Sequence, residues 1–247
     1  MTPAACPDAA ATRRRMKNST LNPPRPRVAL LIESSRAYGR RTLIGVARYV
    51  REHRPWSIFL QERSLGDKSP DWLKDWDGDG IIARVESRQI ASGIRRLGVP
   101  AVDVRYLLRN LEMPSVCPND AAAARLAFEH LRERGFHHFA FCGFNGADYS
   151  DIRRNSFVQC AAAARLQCHV YVDPQKIRSA STLEYEARGL KDGEHVIRWL
   201  EKLPKPIGVM ACNDIRGQQV LNACRAANII VPDEVAVVGV DNDDLQC

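Results

Sequence analysis

Polar and charged side chains follow several short apolar runs of this sequence, at the point where each run ends. They are Ser35 and Tyr38 after the run 28–32, Asp120 after the segment around Val116, Arg153 after the run 139–142, Asp214 after the run 207–211, and Asp241 and Asn242 after the run 235–240. Carboxylates accept hydrogen bonds from hydroxyl groups, and arginine and asparagine side chains donate or bridge them. These residue types therefore predict a site for a polyol such as a sugar.

The elements that must position these residues are predicted to be short aliphatic strands that alternate with longer helices. The predicted strands are 28–32, 57–60, 80–83, 101–104, 139–142, 169–172, 207–211 and 235–240. The predicted helices are 39–53, 87–97, 121–134, 151–166, 189–203 and 215–227. Short continuous aliphatic runs are typical of parallel strands that are covered on both faces. The alternation predicts an α/β fold with two doubly wound parallel-sheet lobes.

Ligands bind beyond the carboxyl ends of the strands in open parallel sheets, so several strand ends can contribute to one site. Single residues allow another interpretation, because Asp120 and Asp214 also stand where a helix N-cap is expected. No G-x-G-x-x-G and no G-x-x-x-x-G-K-[ST] motif is present, which removes the main support for nucleotide binding. The sequence predicts no cofactor, no metal and no catalytic residue.

An enzyme is the alternative of a different class. Cys142 precedes Gly143 at a predicted strand end and would be the nucleophile, with His137 or His138 as the base. A nucleophile elbow requires glycine two residues before the nucleophile, where this chain has Ala140. Consecutive histidines that enter a strand also point to opposite faces. The sequence therefore favours binding over catalysis.

The composition is that of an ordinary globular chain with a basic start. Of its 247 residues 45% are hydrophobic and 26% are charged, which excludes disorder, collagen and coiled coil for the whole chain. Most of the net charge of +7 lies in residues 1–27, which are expected to be a disordered basic tail. The eight cysteines form no C-x-x-C pair and predict buried free thiols. Neither a membrane span nor a secretory signal is apparent, so a cytoplasmic location is expected.

Several segments resemble the sugar-sensing domain of the lactose/galactose repressor family, which is similar to periplasmic sugar-binding proteins. They are 119–135, 207–214, which ends in Asn-Asp, and 231–242, which ends in Val-Gly-Val-Asp-Asn. The segments 27–50, 56–60 and 78–83 are similar, more narrowly, to the sensor regions of xylose operon regulators. The resemblance spans about residues 27–245. It implies a periplasmic-binding-protein type I-like fold, with an N-terminal sensor lobe at 28–135 and a C-terminal sensor lobe at 136–247.

The resemblance also implies roles for the polar residues. Asp120 of the first lobe and Asp214 of the second would contact the sugar. Arg153 stands at the arginine of an R-x-x-G-F motif, from which this chain departs at Ser156 and keeps Phe157. The loop that carries Ser35 and Tyr38 would add contacts from the other wall, and Asp241 and Asn242 would lie where the chain begins to cross back between the lobes.

A regulator of this kind senses a sugar, here a pentose such as xylose, and controls DNA binding through closure of its lobes. The resemblance implies an AraC-like DNA-binding domain after the sensor and a last segment that returns to the first lobe, and both are expected to be missing from this chain. Expected partners are a small sugar, DNA only through the absent domain, no membrane, and a possible homodimer. A stand-alone cytoplasmic sugar-binding protein is the remaining alternative.

Overall fold

The computed structural model describes residues 25–108, 110–173 and 181–247. These residues form an α/β fold with two four-stranded parallel sheets, which confirms the predicted fold class. The strands are β1 (Arg27–Leu31), β2 (Ser57–Leu60), β3 (Gly80–Ala83), β4 (Ala101–Asp103), β5 (His138–Cys142), β6 (Cys168–Val170), β7 (Ile207–Ala211) and β8 (Val235–Val238). The α-helices are α1 (Ala37–Glu52), α2 (Arg88–Leu97), α3 (Asp120–Glu133), α4 (Asp148–Ala163), α5 (Thr182–Gly189), α6 (Gly193–Glu201) and α7 (Asp214–Ala226), and a 3₁₀ helix spans Asp71–Asp75. The greater part of the predicted basic tail, residues 1–24, lies outside the described residues.

The first sheet has the strand order β2-β1-β3-β4. Its strand β1 is covered on both faces, because successive side chains of a strand point to opposite sides. Leu31 packs in the cluster that includes Ile90 and Ile94 of α2, whereas Leu30 packs with Val46 of α1. The edge strand β2 differs, because all four of its residues are exposed.

The second sheet has the strand order β6-β5-β7-β8 and the more aromatic core. Phe139 of β5 packs against Phe128 of α3, with ring centroids 4.7 Å apart, and Phe157 of α4 completes the group. The opposite face is mainly aliphatic and brings Val209 of β7 against α6 and α7. Each sheet therefore has its own core and forms its own lobe.

Helix α3 corrects the predicted boundary between the lobes. The boundary at residues 135 and 136 assigned this helix to the first lobe, but Phe128 and Leu131 are buried in the core of the second sheet. Leu131 also packs closely on Gly208 of β7, where a Cβ would lie 2.9 Å from its Cδ1 atom. Asp120, the first residue of α3, therefore belongs to the second lobe together with Asp214.

The predicted helix 189–203 overlaps α6 but begins too early, and the sequence analysis missed the separate helix α5 that precedes it. Helix α5 begins at a capping box in which Ser181 accepts from the Glu184 backbone N–H and Glu184 accepts from the Ser181 backbone N–H. Gly189 ends the helix close to Gln219, whose Oε1 atom would lie 2.2 Å from an added Cβ. The Ser-x-x-Glu pattern was readable in the sequence. The other predicted elements each overlap an observed one.

Cysteine burial follows the prediction only in part. Cys142, Cys212 and Cys224 are buried and free, but Cys117 is exposed on the connection between β4 and α3. Among the described residues, no helix has both the length and the apolar character needed to cross a bilayer.

Candidate functional site

A cavity of about 60 Å³ lies between the two lobes, at the carboxyl ends of the strands of both sheets. The first lobe and the connection to the second contribute Arg36, Tyr38, Arg84 and Arg105, and the second lobe contributes Asp120, Tyr149, Arg153, Glu186, Asp214, Asp241 and Asp243. We call this space the interlobe cavity. Its position agrees with the rule that open parallel sheets bind ligands beyond the carboxyl ends of their strands.

Asp120 and Arg153 form a buried ion pair in the second-lobe wall. The Arg153 Nε and Nη2 atoms lie 2.8 and 2.7 Å from Asp120 Oδ1. Arg153 also donates from Nη1 to the Cys212 carbonyl, and it is only 5% exposed. Asn119, not Asp120, caps α3 by accepting from the Ala122 N–H at 2.9 Å. The Asp120 carboxylate is therefore directed to Arg153 and the cavity. It is not the cap of α3, which was the alternative interpretation.

Asp214 occupies the corresponding position on α7. Asn213 caps the helix by accepting from the Arg216 N–H at 2.9 Å, so the Asp214 side chain is not the cap. Its Oδ2 atom accepts from the Asp243 N–H at 2.8 Å. Gly239 allows this approach, because a Cβ there would lie 2.4 Å from Asp214 Oδ1. Burial raises the pKa of the Asp214 carboxyl above its ordinary value.

Asp241 projects a carboxylate that has no hydrogen bond or ion pair within the described residues. Its backbone has φ +109°, in the region that L-amino acids rarely adopt, and Asn242 follows at φ +48°. Burial raises the pKa of the Asp241 carboxyl to about 6, and Arg153 opposes this shift. A partly buried carboxylate without a partner can accept a hydrogen bond from a ligand.

The first-lobe wall is held by Glu33 and Arg84. The two side chains form an ion pair and are 3% and 6% exposed, and Arg84 also contacts Glu86 at 2.5 Å. The Arg84 guanidinium lies over the Tyr38 ring, 5.1 Å from its centroid, and the Tyr38 hydroxyl donates to the Val104 carbonyl. Tyr38 therefore faces the cavity in a fixed orientation.

Several polar contacts join the lobes. Arg36 pairs with Glu186 at 2.7 Å, and Arg40 pairs with Asp243 at 2.7 Å. Asp243 Oδ2 also accepts from the Ala37 N–H at 3.1 Å, at the first residue of α1. A carboxylate is favoured at a helix N-terminus, because the helix dipole and unpaired N–H groups both attract it. The first lobe is thereby attached to the loop that contains Asp241.

Three donor groups in the wall lack a hydrogen-bond partner within the described residues, and one of them is the Nε atom of Arg36. The Tyr149 hydroxyl is buried without a hydrogen bond, and so is the Nε atom of Arg105. The Tyr149 ring lies between the guanidinium groups of Arg105 and Arg153, each 5.2 Å from its centroid. Together with the Asp241 carboxylate, these groups offer donors and an acceptor around one small space.

The predicted site residues separate into two groups. Tyr38, Asp120, Arg153, Asp214 and Asp241 line the interlobe cavity, and their roles in binding stay predictions. Ser35 and Asn242 do not line it. The Ser35 hydroxyl accepts from the Leu65 N–H and donates to Glu33, so it stabilises a turn, and Asn242 offers only its carbonyl oxygen, to Arg41.

The sequence did not reveal the supporting residues of the second lobe. Arg216 is 1% exposed and pairs with both carboxylate oxygens of Asp192 at 3.1 and 3.0 Å. Its guanidinium also lies 5.1 Å from the ring centroids of both Phe144 and Tyr171. Cation–π contacts therefore hold this side chain in addition to its ion pair. Gln219 links Arg216 to the Glu186 carbonyl. Only the position of Arg216, two residues after Asn-Asp, gave any signal.

The proposed nucleophile and base of an enzyme are not brought together. Cys142 and His138 stand at opposite ends of β5, about 13 Å apart at ~3.3 Å per residue. Cys142 is fully buried and burial raises the pKa of its thiol, so the thiolate is disfavoured. Among the described residues, no group of three or more His, Cys, Asp and Glu side chains could hold a metal ion.

Comparison with known proteins finds matches along most of the chain. Residues 27–116 match the XylR N-terminal domain, and residues 128–246 match the periplasmic binding protein-like domain. The xylose operon regulatory protein of Escherichia coli K12 is 32% identical over 232 residues, which cover 90% of this chain. The chain therefore contains regions that match the XylR N-terminal domain and the periplasmic binding protein-like domain. The relatives found are transcriptional regulators.

Other XylR-type relatives agree over the same region. The xylose operon regulatory protein of Haemophilus influenzae is 26% identical and covers 89% of this chain. A solved structure of the xylose-binding transcription activator XylR is 28% identical, with a TM-score of 0.68, and covers 89% of this chain and 55% of that one. A structure from Alkaliphilus metalliredigens in complex with D-xylulofuranose, at 18% identity and a TM-score of 0.62, shows the same fold. The chain spans 56% of the length of both curated relatives.

Proposed function

We propose that this chain is the ligand-binding region of a transcriptional regulator and that its interlobe cavity binds a small sugar, a pentose such as xylose. The observation that carries the proposal is the polar lining of that cavity. The buried Tyr149 hydroxyl and the Nε atoms of Arg36 and Arg105 lack hydrogen-bond partners, and the Asp241 carboxylate has no hydrogen bond or ion pair within the described residues. A compact ligand with several hydroxyl groups can pair with donors and acceptors at once, whereas an apolar ligand would leave them unpaired. The names of the XylR-type relatives support the choice of xylose.

The expected affinity follows from these contacts. A hydrogen bond to a charged group contributes about 1.5–3 kcal/mol net. Three or four such bonds, less the costs of association, correspond to micromolar binding at about −8 kcal/mol.

Lobe closure is the proposed response to binding. Arg36–Glu186 and Arg40–Asp243 join the lobes in the arrangement seen here, and both pairs flank the cavity. A sugar that contacts both lobes binds the closed arrangement more tightly than an open one. The difference between these two affinities sets how far the sugar shifts the chain to the closed arrangement. In the regulator, closure would alter DNA binding by a domain outside this chain, which is a coupling between two sites. A cytoplasmic location and a homodimer stay predictions.

Calorimetric titration of the chain with D-xylose tests this function. We expect micromolar binding to the native chain and at least a tenfold weaker affinity for Asp214→Asn, because the amide loses charge at the cavity wall while it can still accept from the Asp243 N–H. Asp244→Asn, on an exposed neighbour in the same loop, is the control and should bind as the native chain does. Absence of heat with D-xylose and other pentoses would refute the proposal.

A further inference from the structure

A second cavity adjoins the interlobe cavity and has no role in the function proposed above. It is larger, at about 440 Å³, and it lies over the start of α3 and the first turns of α4. Arg105, Pro118, Asp120 and Tyr149 line both spaces, so the two cavities have one wall in common. A ligand seated in the interlobe cavity would therefore lie directly beside this outer groove.

The common wall contains polar groups that nothing in the described chain satisfies. Tyr149 is 7% exposed, and its hydroxyl has no hydrogen-bond partner among the described residues. The Nε atom of Arg105 is buried and likewise unpaired in this part of the chain. Buried polar groups normally have hydrogen-bond partners, and leaving one unpaired destabilises the folded chain. Both residues line the two cavities, so a polar ligand beside this wall lies close to both groups.

The outer side of the groove combines apolar and polar side chains in the manner of a sugar-binding surface. Tyr106 and Ile152 are 41% and 40% exposed, although both are large hydrophobic residues. Asn119 and Asp148 stand beside them in the same groove. A sugar ring presents C–H groups on its faces and hydroxyl groups at its edge, so it suits an apolar floor with a polar border.

From this arrangement we infer that the groove is a second subsite, which holds the second ring or the aglycone of a glycoside whose first ring occupies the interlobe cavity. The inference rests on the proposed function, since the first ring must bind there. It extends the ligand class from monosaccharides to short glycosides. The outer side of the groove is lined by Tyr106, Ile152, Asn119 and Asp148, so the added part binds through its ring face and hydroxyl groups.

Calorimetric titration with D-xylose, phenyl β-D-xyloside and xylobiose tests the second subsite on the full chain of 247 residues. Xylobiose or the phenyl glycoside should bind about tenfold more tightly than D-xylose, as expected for burial of one further ring face. Ile152→Ser and Tyr106→Ala should each abolish most of this gain and leave D-xylose affinity within about twofold. Ile44→Ser, at an exposed position on α1, is the matched control and should change neither affinity.

The outcomes separate the two proposals. If D-xylose binds but both glycosides bind no better than it does, the second subsite is wrong and the proposed function stands. Retention of the gain in the double variant of Ile152 and Tyr106 would also overturn the subsite. If none of the three compounds binds, the proposed function fails together with the inference that depends on it.

Discussion

At the scale of single residues, the carboxylate of Asp241 opposes folding and favours binding. It is held in a backbone conformation with φ +109° and has no partner within the described residues, while burial raises its pKa to about 6. In the unfolded chain the same carboxyl titrates near 3.8. Between these values the folded chain retains a proton that the unfolded chain has released. Stability therefore falls as the pH rises from about 4 to about 6, and the full cost is present above 6.

Replacement of Asp241 by asparagine should raise the free energy of unfolding at pH 7 by about 1–2 kcal/mol, because the amide carries no charge to bury. The gain should shrink as the pH is lowered and vanish near pH 4. D-xylose affinity at pH 7 should fall about tenfold or more, since an ionised acceptor is lost. Urea unfolding across pH 4–8 measures the first effect and calorimetry the second. A variant that is less stable than the native chain at pH 7 would contradict this interpretation.

At the scale of elements, the N-terminus of α1 and the loop after β8 act as one unit through Asp243. This residue accepts from the Ala37 N–H, pairs with Arg40 and donates its own N–H to Asp214. Gly39 brings α1 close to the end of β1, because a Cβ there would lie 1.9 Å from the Glu33 carbonyl oxygen. A helix of one lobe is thus attached to a cavity residue of the other.

Asp243→Ala should loosen the contact between the lobes. The variant loses the acceptor at the α1 N-terminus and the partner of Arg40, so the closed arrangement is less favoured. We expect a larger radius of gyration in small-angle scattering without sugar and about tenfold weaker D-xylose binding. Asp244→Ala should match the native chain in both measurements. Equal scattering curves for Asp243→Ala and the native chain would show that this attachment does not hold the lobes together.

At the scale of the whole molecule, the first lobe presents an apolar sheet edge. Strand β2 ends the first sheet, and Ile58, Phe59 and Leu60 are 40%, 39% and 49% exposed. Nearby on α1, Ile44 and Tyr49 are also exposed. Exposed apolar edge strands pair readily with other chains, since their backbone N–H and C=O groups are free on one side.

The chain as given should associate with itself at increasing concentration through this edge. Ile58→Lys should reduce the association, because a charge at an edge strand opposes pairing, and it should leave D-xylose affinity unchanged. Ile230→Lys places the same charge at an exposed site on the second lobe and serves as the control. Sedimentation equilibrium measures both. Unaltered association in Ile58→Lys would place the contact elsewhere.

The amino-acid sequence alone determined the strands, most of the helices and the polar residues at the strand ends. Aliphatic runs and helical periodicity are local properties, so they can be read from the sequence. A parallel sheet also brings its strand ends to one edge. The sequence could therefore name five residues that line the interlobe cavity: Tyr38, Asp120, Arg153, Asp214 and Asp241. Two of the seven residues, Ser35 and Asn242, were named from their strand ends and from the family resemblance. Neither lines the cavity, and the Ser35 hydroxyl is bound in a turn.

Only the tertiary structure decided which lobe holds α3 and how the lobes meet. The burial of Phe128 against Phe139 is a contact between elements. The sequence of α3 does not indicate which of the two sheets the helix packs on. The pairs Arg36–Glu186 and Arg40–Asp243 join residues 150 and 203 positions apart, beyond any local pattern. Whether a charged side chain is paired or left open to a ligand depends on such distant neighbours, because electrostatic and hydrogen-bond partners are set by three-dimensional packing.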